Sequence, residues 1–144
     1  MNYFDTSALI KAFLVEVGTD TTKRLLLRGG LSATATITYA EMFSGFSRKK
    51  REAGLSLNQY HSACKEFDSY WPSCVQVELT KDILTRARTL MQRHPLRAFD
   101  AIHLASALSL TQDLGESLTI IAADDRLLRA AEAEDIVTIN VEQP

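Results

Sequence analysis

Four carboxylates stand where the sequence pattern starts a helix, and the chemistry of the protein depends on whether they meet. Asp5, Glu41 and Asp124 each come shortly after a short apolar run. Asp100 lies near the start of the segment RAFDAIHLASAL, which is otherwise almost wholly apolar. Because carboxylates packed together raise one another's pKa and destabilise a fold, a cluster of four would require a cation.

The residue types available restrict which cation this would be. Cys64 and Cys74 lack CxxC spacing, and His61, His94 and His103 are scattered without an HxxH or HExxH pair. All-oxygen ligation favours a hard ion such as Mg²⁺ or Mn²⁺ over zinc. The corresponding chemistry is metal-assisted phosphodiester hydrolysis, in which the ion acidifies a water molecule and offsets charge on the phosphate.

Asp100 also has a purely structural interpretation. Arg97 lies three residues before it and His103 three residues after it, so either side chain could pair with this carboxylate on a helix. An ionised carboxylate in an apolar helix needs some such partner, because burying it alone is very costly. From this segment alone, an ion pair and a metal ligand remain equally open.

Helix capping is the structural alternative for the other acids. Asp5, Thr6 and Ser7 all have oxygens that can accept hydrogen bonds from the first free N–H groups of a helix. Thr38 and Glu41 fit a T-x-x-E capping box, in which the glutamate reaches back to the cap residue. Capping and catalysis are compatible, because open α/β sheets bind ligands at the carboxyl ends of their strands.

Segments with strand-like and helix-like apolar patterns alternate along the chain. This predicts an α/β protein with three layers, in which one sheet lies between two layers of helices (α/β/α). Short strands are predicted over residues 1–4, 31–36, 74–79, 118–122 and 136–141, the last as an edge strand. Helices are predicted over residues 8–14, 20–27, 39–53, 57–70, 81–93, 97–114 and 126–133. We expect one domain, residues 1–144, with a central, mainly parallel sheet of about five strands and right-handed crossovers. The four carboxylates are expected to converge at one edge of that sheet.

Local signals mark several helix ends. Asp20 is expected to cap the second helix, which Gly29 and Gly30 would end. Ser56 and Gln59 form a further capping box.

The charge of the chain does not by itself identify a partner. The net charge is −2, and setting four acids aside leaves 14 acidic against 16 basic residues. Arg48, Lys49, Lys50 and Arg51 form a basic cluster near the end of a predicted helix. A solvated face explains it, because the helix dipole favours cations there. The alternative is an edge that contacts nucleic-acid phosphates.

Other sequence features exclude competing classes. Neither the G-x-G-x-x-G dinucleotide fingerprint nor the G-x-x-x-x-G-K-[ST] phosphate loop occurs. No apolar run approaches the ~20 residues of a membrane span, and the first residues lack the pattern of a secretory signal. We therefore expect a cytoplasmic protein without membrane contact.

Four segments in this order resemble the PIN-domain family, and more narrowly the VapC-type toxin ribonucleases of toxin–antitoxin pairs. The segments are YFDTSALIKAF, ITYAEMFSGFSRKKREAGLS, RAFDAIHLASAL and AADDRLLRAA, and they extend over nearly the whole chain. Each is moderately specific, and together they form a strong signal. The resemblance implies a PIN-like fold and endonucleolytic cleavage of RNA.

The resemblance also assigns residues and partners. It implies that Asp5, Glu41, Asp100 and Asp124 form the Mg²⁺ or Mn²⁺ site, and that Ser7 or Thr6 supports them through a hydroxyl. It implies a homodimer and inhibition by a cognate antitoxin, which together would form a higher assembly.

One departure from the family pattern concerns the fourth acid. Ala122 stands two residues before Asp124, where the family often has Thr or Ser, so a supporting hydroxyl is absent there. Asp125 makes the metal-facing carboxylate ambiguous, although the sequence LLRAA that follows favours Asp124. With the other acids nearby, Arg97 and His103 become supporting or substrate-edge residues around Asp100.

Two alternatives remain beside a metal-dependent endoribonuclease toxin. One is a catalytically silent PIN-like module that binds RNA or an antitoxin without turnover. The other is a DNA-directed nuclease that uses the same acidic site.

Overall fold

Strands and helices alternate along the chain as predicted. The structure is a computed structural model that describes residues 1–28 and 30–144. The five strands are β1 (Asn2–Phe4), β2 (Ser32–Ala35), β3 (Val75–Val77), β4 (Thr119–Ala122) and β5 (Val137–Asn140). The α-helices are α1 (Thr6–Leu9), α2 (Thr19–Arg28), α3 (Thr38–Glu52), α4 (Leu57–Tyr70), α5 (Lys81–Arg93), α6 (Ala98–Leu114) and α7 (Asp125–Ala133). Short 3₁₀ helices follow α1 (Ile10–Ala12) and α4 (Trp71–Ser73).

The sheet is parallel at every pairing, with strand order β3-β2-β1-β4-β5. Strand β1 is therefore central, and Tyr3 is in register with Ala33 on one side and Ile120 on the other. Strand β5 lies at the edge, as predicted. The predicted parallel α/β sheet is confirmed.

Two hydrophobic cores cover the two faces of this sheet. Side chains alternate between the faces of a strand, so Tyr3 and Ile120 pack on one side and Phe4 and Ile121 on the other. Buried residues of α5, α6 and α7 complete the first core, and residues of α1, α3 and α4 complete the second. This arrangement is the predicted three-layer architecture.

The strand order reverses next to β1. The chain passes from β1 outwards to β2 and β3, then crosses through α5 and α6 to β4 on the opposite side of β1. Such a reversal opens a crevice beyond the carboxyl ends of the two strands. Asp5 follows β1 directly and Asp124 lies two residues beyond β4, so both stand at this crevice.

Several local predictions require correction. Thr38 is the first residue of α3 and Ile37 takes the cap position, so the predicted T-x-x-E capping box is wrong. Asp20 lies in the first turn of α2, which begins at Thr19, and is therefore not its cap. Gly29, one of the two predicted helix-ending glycines, lies outside the described residues.

The capping box of α4 is confirmed. The Ser56 hydroxyl accepts a hydrogen bond from the Gln59 N–H, and the Gln59 side chain accepts one from the Ser56 N–H.

Within residues 1–28 and 30–144, the helices fall short of the length and apolar character that crossing a membrane demands.

Phe67 on α4 is the centre of an aromatic cluster in the second core. It is fully buried, and its ring centroid lies 5.5 to 6.1 Å from five other rings. We expect Phe67→Ala to lower the free energy of unfolding by about 3 to 5 kcal/mol, measured by chemical denaturation. Leu57→Ala on the same helix is the control, because Leu57 is 58% exposed. Equal losses in both variants would contradict this packing.

Candidate active site

A cavity of about 610 Å³ opens where the strand order reverses. Its lining includes all four predicted acids, Asp5, Glu41, Asp100 and Asp124. They come from four different parts of the chain: the end of β1, the first turn of α3, the first turn of α6 and the turn after β4. The fold thus brings into one cavity the carboxylates that the sequence singles out.

Asp5 is held rigidly at the base of this cavity. The residue is 4% exposed, and its Oδ2 accepts hydrogen bonds from the Ser7 N–H at 3.0 Å and from the Ser7 hydroxyl. Oγ of Ser7 in turn accepts the Ala123 N–H at 2.9 Å. Ser7 therefore connects the carboxyl ends of β1 and β4, while Asp5 also caps α1.

Glu41 turns towards the cavity and away from its own helix end. Its Oε1 accepts hydrogen bonds from the Thr6 hydroxyl and from His103 Nε2, both at 2.8 Å. Burial raises the pKa of Glu41, but the hydrogen bond and charge of His103 and the hydrogen bond from Thr6 bring the pKa below its ordinary value. Glu41 is therefore ionised and supported from two sides.

His103 is a buried counter-ion for two of the four acids. Its side chain is 1% exposed, and Nε2 lies 2.8 Å from Glu41 Oε1 and 3.3 Å from Asp5 Oδ1. Because both neighbours accept hydrogen bonds, Nε2 carries a proton. Burial lowers the pKa of His103, but the charges of Asp5 and Glu41 raise it above its ordinary value. On the other side of the ring, Nδ1 lies 2.9 Å from the Tyr3 hydroxyl.

Asp100 and Asp124 have surroundings that differ from those of Asp5 and Glu41. The pKa of Asp100 is raised, first by burial and then by the negative charges of Asp124 and Asp5. A backbone hydrogen bond from Arg97 and the charge of His103 offset only part of this effect. Asp124 is the cap of α7, and its Oδ1 accepts the Leu127 N–H at 3.0 Å. Asp100 is therefore the acid of this cavity whose ionised form is disfavoured.

The four acids share the cavity without meeting at one point. Across residues 1–28 and 30–144, no three or more histidine, cysteine, aspartate or glutamate side chains are grouped so that they could hold a metal ion as they stand. An ion shared among them would require side-chain rotation or bridging water.

The structure separates Asp124 from its neighbour Asp125. Asp124 lines the cavity, whereas Asp125 is exposed and accepts a hydrogen bond from Asn140 Nδ2 at 3.0 Å. The two adjacent carboxylates thus occupy different environments.

The residues of the predicted basic edge have different environments. Arg48 lines the cavity together with Arg97. Lys49 instead forms an ion pair with Glu16 at 2.8 Å. Lys50 lies over the ring of Tyr60, 4.6 Å from its centroid, and Arg51 is exposed to solvent.

Several residues around the cavity carry no clear signal in the sequence. The Tyr3 hydroxyl, on β1, contacts His103 of α6. Thr34, on β2, donates a hydrogen bond to the Phe4 carbonyl at 2.7 Å. Phe99 belongs to the apolar segment RAFDAIHLASAL, yet it is 56% exposed and lines the cavity. The continuous buried stretch of α6 starts only at Ala101, so this first-turn position lies at the rim.

The sheet is parallel throughout, both of its faces are covered, and an acidic crevice lies where the strand order reverses. These features define the class of the protein as three-layer α/β. The chain belongs to the PIN domain family, since the family model matches residues 3–133.

Individual relatives agree with this assignment. The chain is 29% identical over 126 residues to ribonuclease VapC45 of Mycobacterium tuberculosis (strain CDC 1551 / Oshkosh), covering 88% of this chain and 85% of the relative. A toxin–antitoxin complex from Klebsiella pneumoniae contains a chain of similar fold, with a TM-score of 0.67, 21% identity and full coverage of both chains. VapBC-5 from Mycobacterium tuberculosis, of the VapBC family of toxin–antitoxin systems, has a TM-score of 0.61 at 17% identity, covering 96% of this chain and 97% of that one.

The position of His103 between two carboxylates predicts a pH-dependent contribution to stability. Because its pKa is raised, this contribution is fully present below the ordinary value of 6.5 and is lost as the pH rises through the folded-state value. In metal-free protein, we expect His103→Leu to lower the free energy of unfolding by on the order of 3 kcal/mol below that value. The difference from wild type should shrink at alkaline pH in denaturation curves.

His103→Gln separates charge from hydrogen bonding. Its amide can still donate to Glu41 but carries no charge, so a smaller loss is expected, without the alkaline decline. A His103→Leu protein as stable as wild type at every pH would show that the histidine does not serve as a counter-ion.

Proposed function

We propose that this protein is a divalent-metal-dependent endoribonuclease that acts as the toxin of a toxin–antitoxin pair. The observation that carries the proposal is the presence of Asp5, Glu41, Asp100 and Asp124 in one cavity at the reversal point of the sheet. Membership of the PIN domain family and the ribonuclease named among the relatives support the same activity.

The residues present fit a hard divalent ion. All four acids offer oxygen ligands. The pKa of Asp100 is raised first by burial and then by the negative charges of Asp124 and Asp5, and a cation would offset these charges. Mg²⁺ usually keeps several waters and binds one or two carboxylates directly, so loosely arranged acids suit it. Mn²⁺ would be accepted by the same ligands.

We assign Asp5 and Asp100 to the principal ion, and Glu41 and Asp124 to completing or extending the site. When bound, the ion would supply a more acidic water and charge neutralisation for hydrolysis of an RNA phosphodiester bond. Ser7 holds the Asp5 carboxylate in place through two hydrogen bonds. Thr6 and His103 hold the Glu41 carboxylate in the same way.

Two arginines give the cavity affinity for a polyanion despite its acids. Arg48 and Arg97 are exposed and line the same cavity. Guanidinium groups bind phosphate oxygens in a bidentate manner, so they would hold the RNA backbone while the acids act on one phosphate. The arginines would thus bind phosphate while the acids act in hydrolysis, and the small net charge of −2 is consistent with this arrangement.

The partners we propose are a cognate antitoxin and a second copy of the chain. The similar chains from Klebsiella pneumoniae and Mycobacterium tuberculosis belong to toxin–antitoxin assemblies, which supports an antitoxin partner. As a single PIN-like domain acting on cellular RNA, the protein would work in the cytoplasm as a homodimer, in a higher assembly with its antitoxin.

The neighbouring acids Asp124 and Asp125 offer a matched test of the activity. We expect Asp124→Asn to reduce RNA cleavage in Mg²⁺ or Mn²⁺ by about two orders of magnitude or more, because it removes a charge from the cavity. Asn still caps a helix well, so α7 should stay intact. Asp125→Asn should cleave like wild type. Cleavage is measured on total cellular RNA. A DNA with the sequence of a cleaved RNA is tested in parallel.

The outcomes of this experiment separate the alternatives. Turnover of DNA in preference to RNA would support a DNA-directed nuclease, and binding of RNA without turnover would support a silent module. Growth arrest upon expression should follow cleavage, being present in Asp125→Asn and lost in Asp124→Asn. Arrest that survives Asp124→Asn would overturn an enzymatic mechanism for the toxin.

Stability of the metal-free protein tests the ion site without an activity assay. The pKa of Asp100 is raised above 3.8, so its ionised form destabilises the fold at neutral pH. We expect Asp100→Asn to unfold at a higher temperature than wild type in EDTA. Added Mg²⁺ or Mn²⁺ should stabilise wild type by about 2.7 kcal/mol at one hundred times its Kd and stabilise Asp100→Asn little. Equal responses in both proteins would exclude Asp100 as a ligand.

A further inference from the structure

Phe99 has an environment unlike that of the clustered aromatic residues of the second core. Those rings pack around Phe67, with centroids 5.5 to 6.1 Å from it. Phe99 is 56% exposed at the start of α6, and it lines the acidic cavity one residue before Asp100. In the part of the chain that the structure describes, its ring pairs with no other aromatic ring. A flat apolar surface is therefore presented beside a carboxylate.

Two positive groups accompany this ring. Arg97 stands at the cap position of α6, and Arg48 lies on α3; both are exposed and line the same cavity. Among residues 1–28 and 30–144, neither guanidinium forms a salt bridge with an acid. The rim thus combines free cationic groups with one aromatic face.

We propose that Phe99 is a base-stacking platform that selects single-stranded RNA, and that Arg97 and Arg48 hold phosphates on either side of the nucleotide it contacts. This inference rests on the proposed ribonuclease function. Bases of single-stranded RNA stack on aromatic side chains, and this contact tolerates every base because each has a π face.

The position of Phe99 favours a single strand over a duplex. Phe99 and Asp100 line the same cavity, so a phosphate near the Asp100 carboxylate brings its own or the adjacent base within reach of the ring. In a duplex, neighbouring base pairs already cover both faces of that base, and exposing it costs a few kcal/mol. The ring therefore favours binding of RNA whose bases are already unstacked, such as a loop or a free end.

The experiment compares Phe99→Ala, Phe99→Leu and Phe99→Trp with wild type. The probe is a short, fluorescein-labelled single-stranded oligoribonucleotide that wild type cleaves, and binding is followed by anisotropy in EDTA. Phe99→Ala should bind roughly five- to a hundredfold more weakly, Phe99→Leu should be nearly as weak, and Phe99→Trp should match or exceed wild type. Leu57→Ala is the matched control, because Leu57 is 58% exposed on α4.

A second measurement identifies the contact itself. An abasic nucleotide is moved along the oligoribonucleotide, and cleavage is measured at each position in Mn²⁺. Wild type should lose affinity at one position near the cleaved bond, while Phe99→Ala should be insensitive there, because two changes that remove one contact are not additive. KM should rise in both cases with kcat nearly unchanged.

The result that overturns the stacking role is distinct from failure of the proposed function. If the wild-type protein cleaves no RNA, the proposed ribonuclease function is overturned. Wild type that cleaves RNA, with Phe99→Ala or Phe99→Leu binding as tightly, overturns the platform alone. Unchanged RNA affinity in Phe99→Ala together with altered sedimentation would assign the ring to a contact between protein copies and likewise overturn it.

Discussion

The confinement of negative charge at one edge of the sheet is the constraint on which the rest of this structure depends. Four carboxylates line one cavity, and His103 is buried between Asp5 and Glu41 as their counter-ion. The pKa of Asp100 is raised, first by burial and then by the charges of Asp124 and Asp5, and His103 offsets only part of this effect. Burial of a charge is tolerated only with a partner. The protein therefore places one histidine between two of its acids, and it supports Asp124 by a hydrogen bond from the Leu127 N–H at the start of α7.

The topology of the sheet determines where this charge collects. Strand β1 is central, and the chain leaves it on one side and returns on the other through β4. The carboxyl ends of these two strands therefore meet at the reversal point, and Ser7 links them by bonding both Asp5 and the Ala123 N–H. The two apolar cores on the faces of the sheet provide the stability that an acidic cavity reduces. A PIN domain of this kind can thus keep several acids together in one cavity.

Much of the fold could be predicted from local pattern. Short apolar runs identified five strands, and the capping box at Ser56 and Gln59 was recognised correctly. Local signals failed where a polar side chain had a choice of partners. Glu41 could have capped its own helix, yet it binds Thr6 and His103, which are 35 and 62 positions away. Sequence spacing does not report such distant partners, because they are brought near only by packing of α3 and α6 against the sheet.

The sequence by itself determined which residues could supply the chemistry. It placed Asp5, Glu41, Asp100 and Asp124 at the starts of helices, because periodicity reveals strand ends and helix starts wherever burial alternates regularly. Tertiary structure alone decided the environment of each side chain. It placed Asp124 in the cavity and Asp125 beside Asn140. It also separated Arg48, which lines the cavity, from Lys49, which pairs with Glu16, and it left Phe99 at the rim. The physical reason is that periodicity reports average burial along one element, whereas the direction and partners of a particular side chain depend on elements distant in sequence.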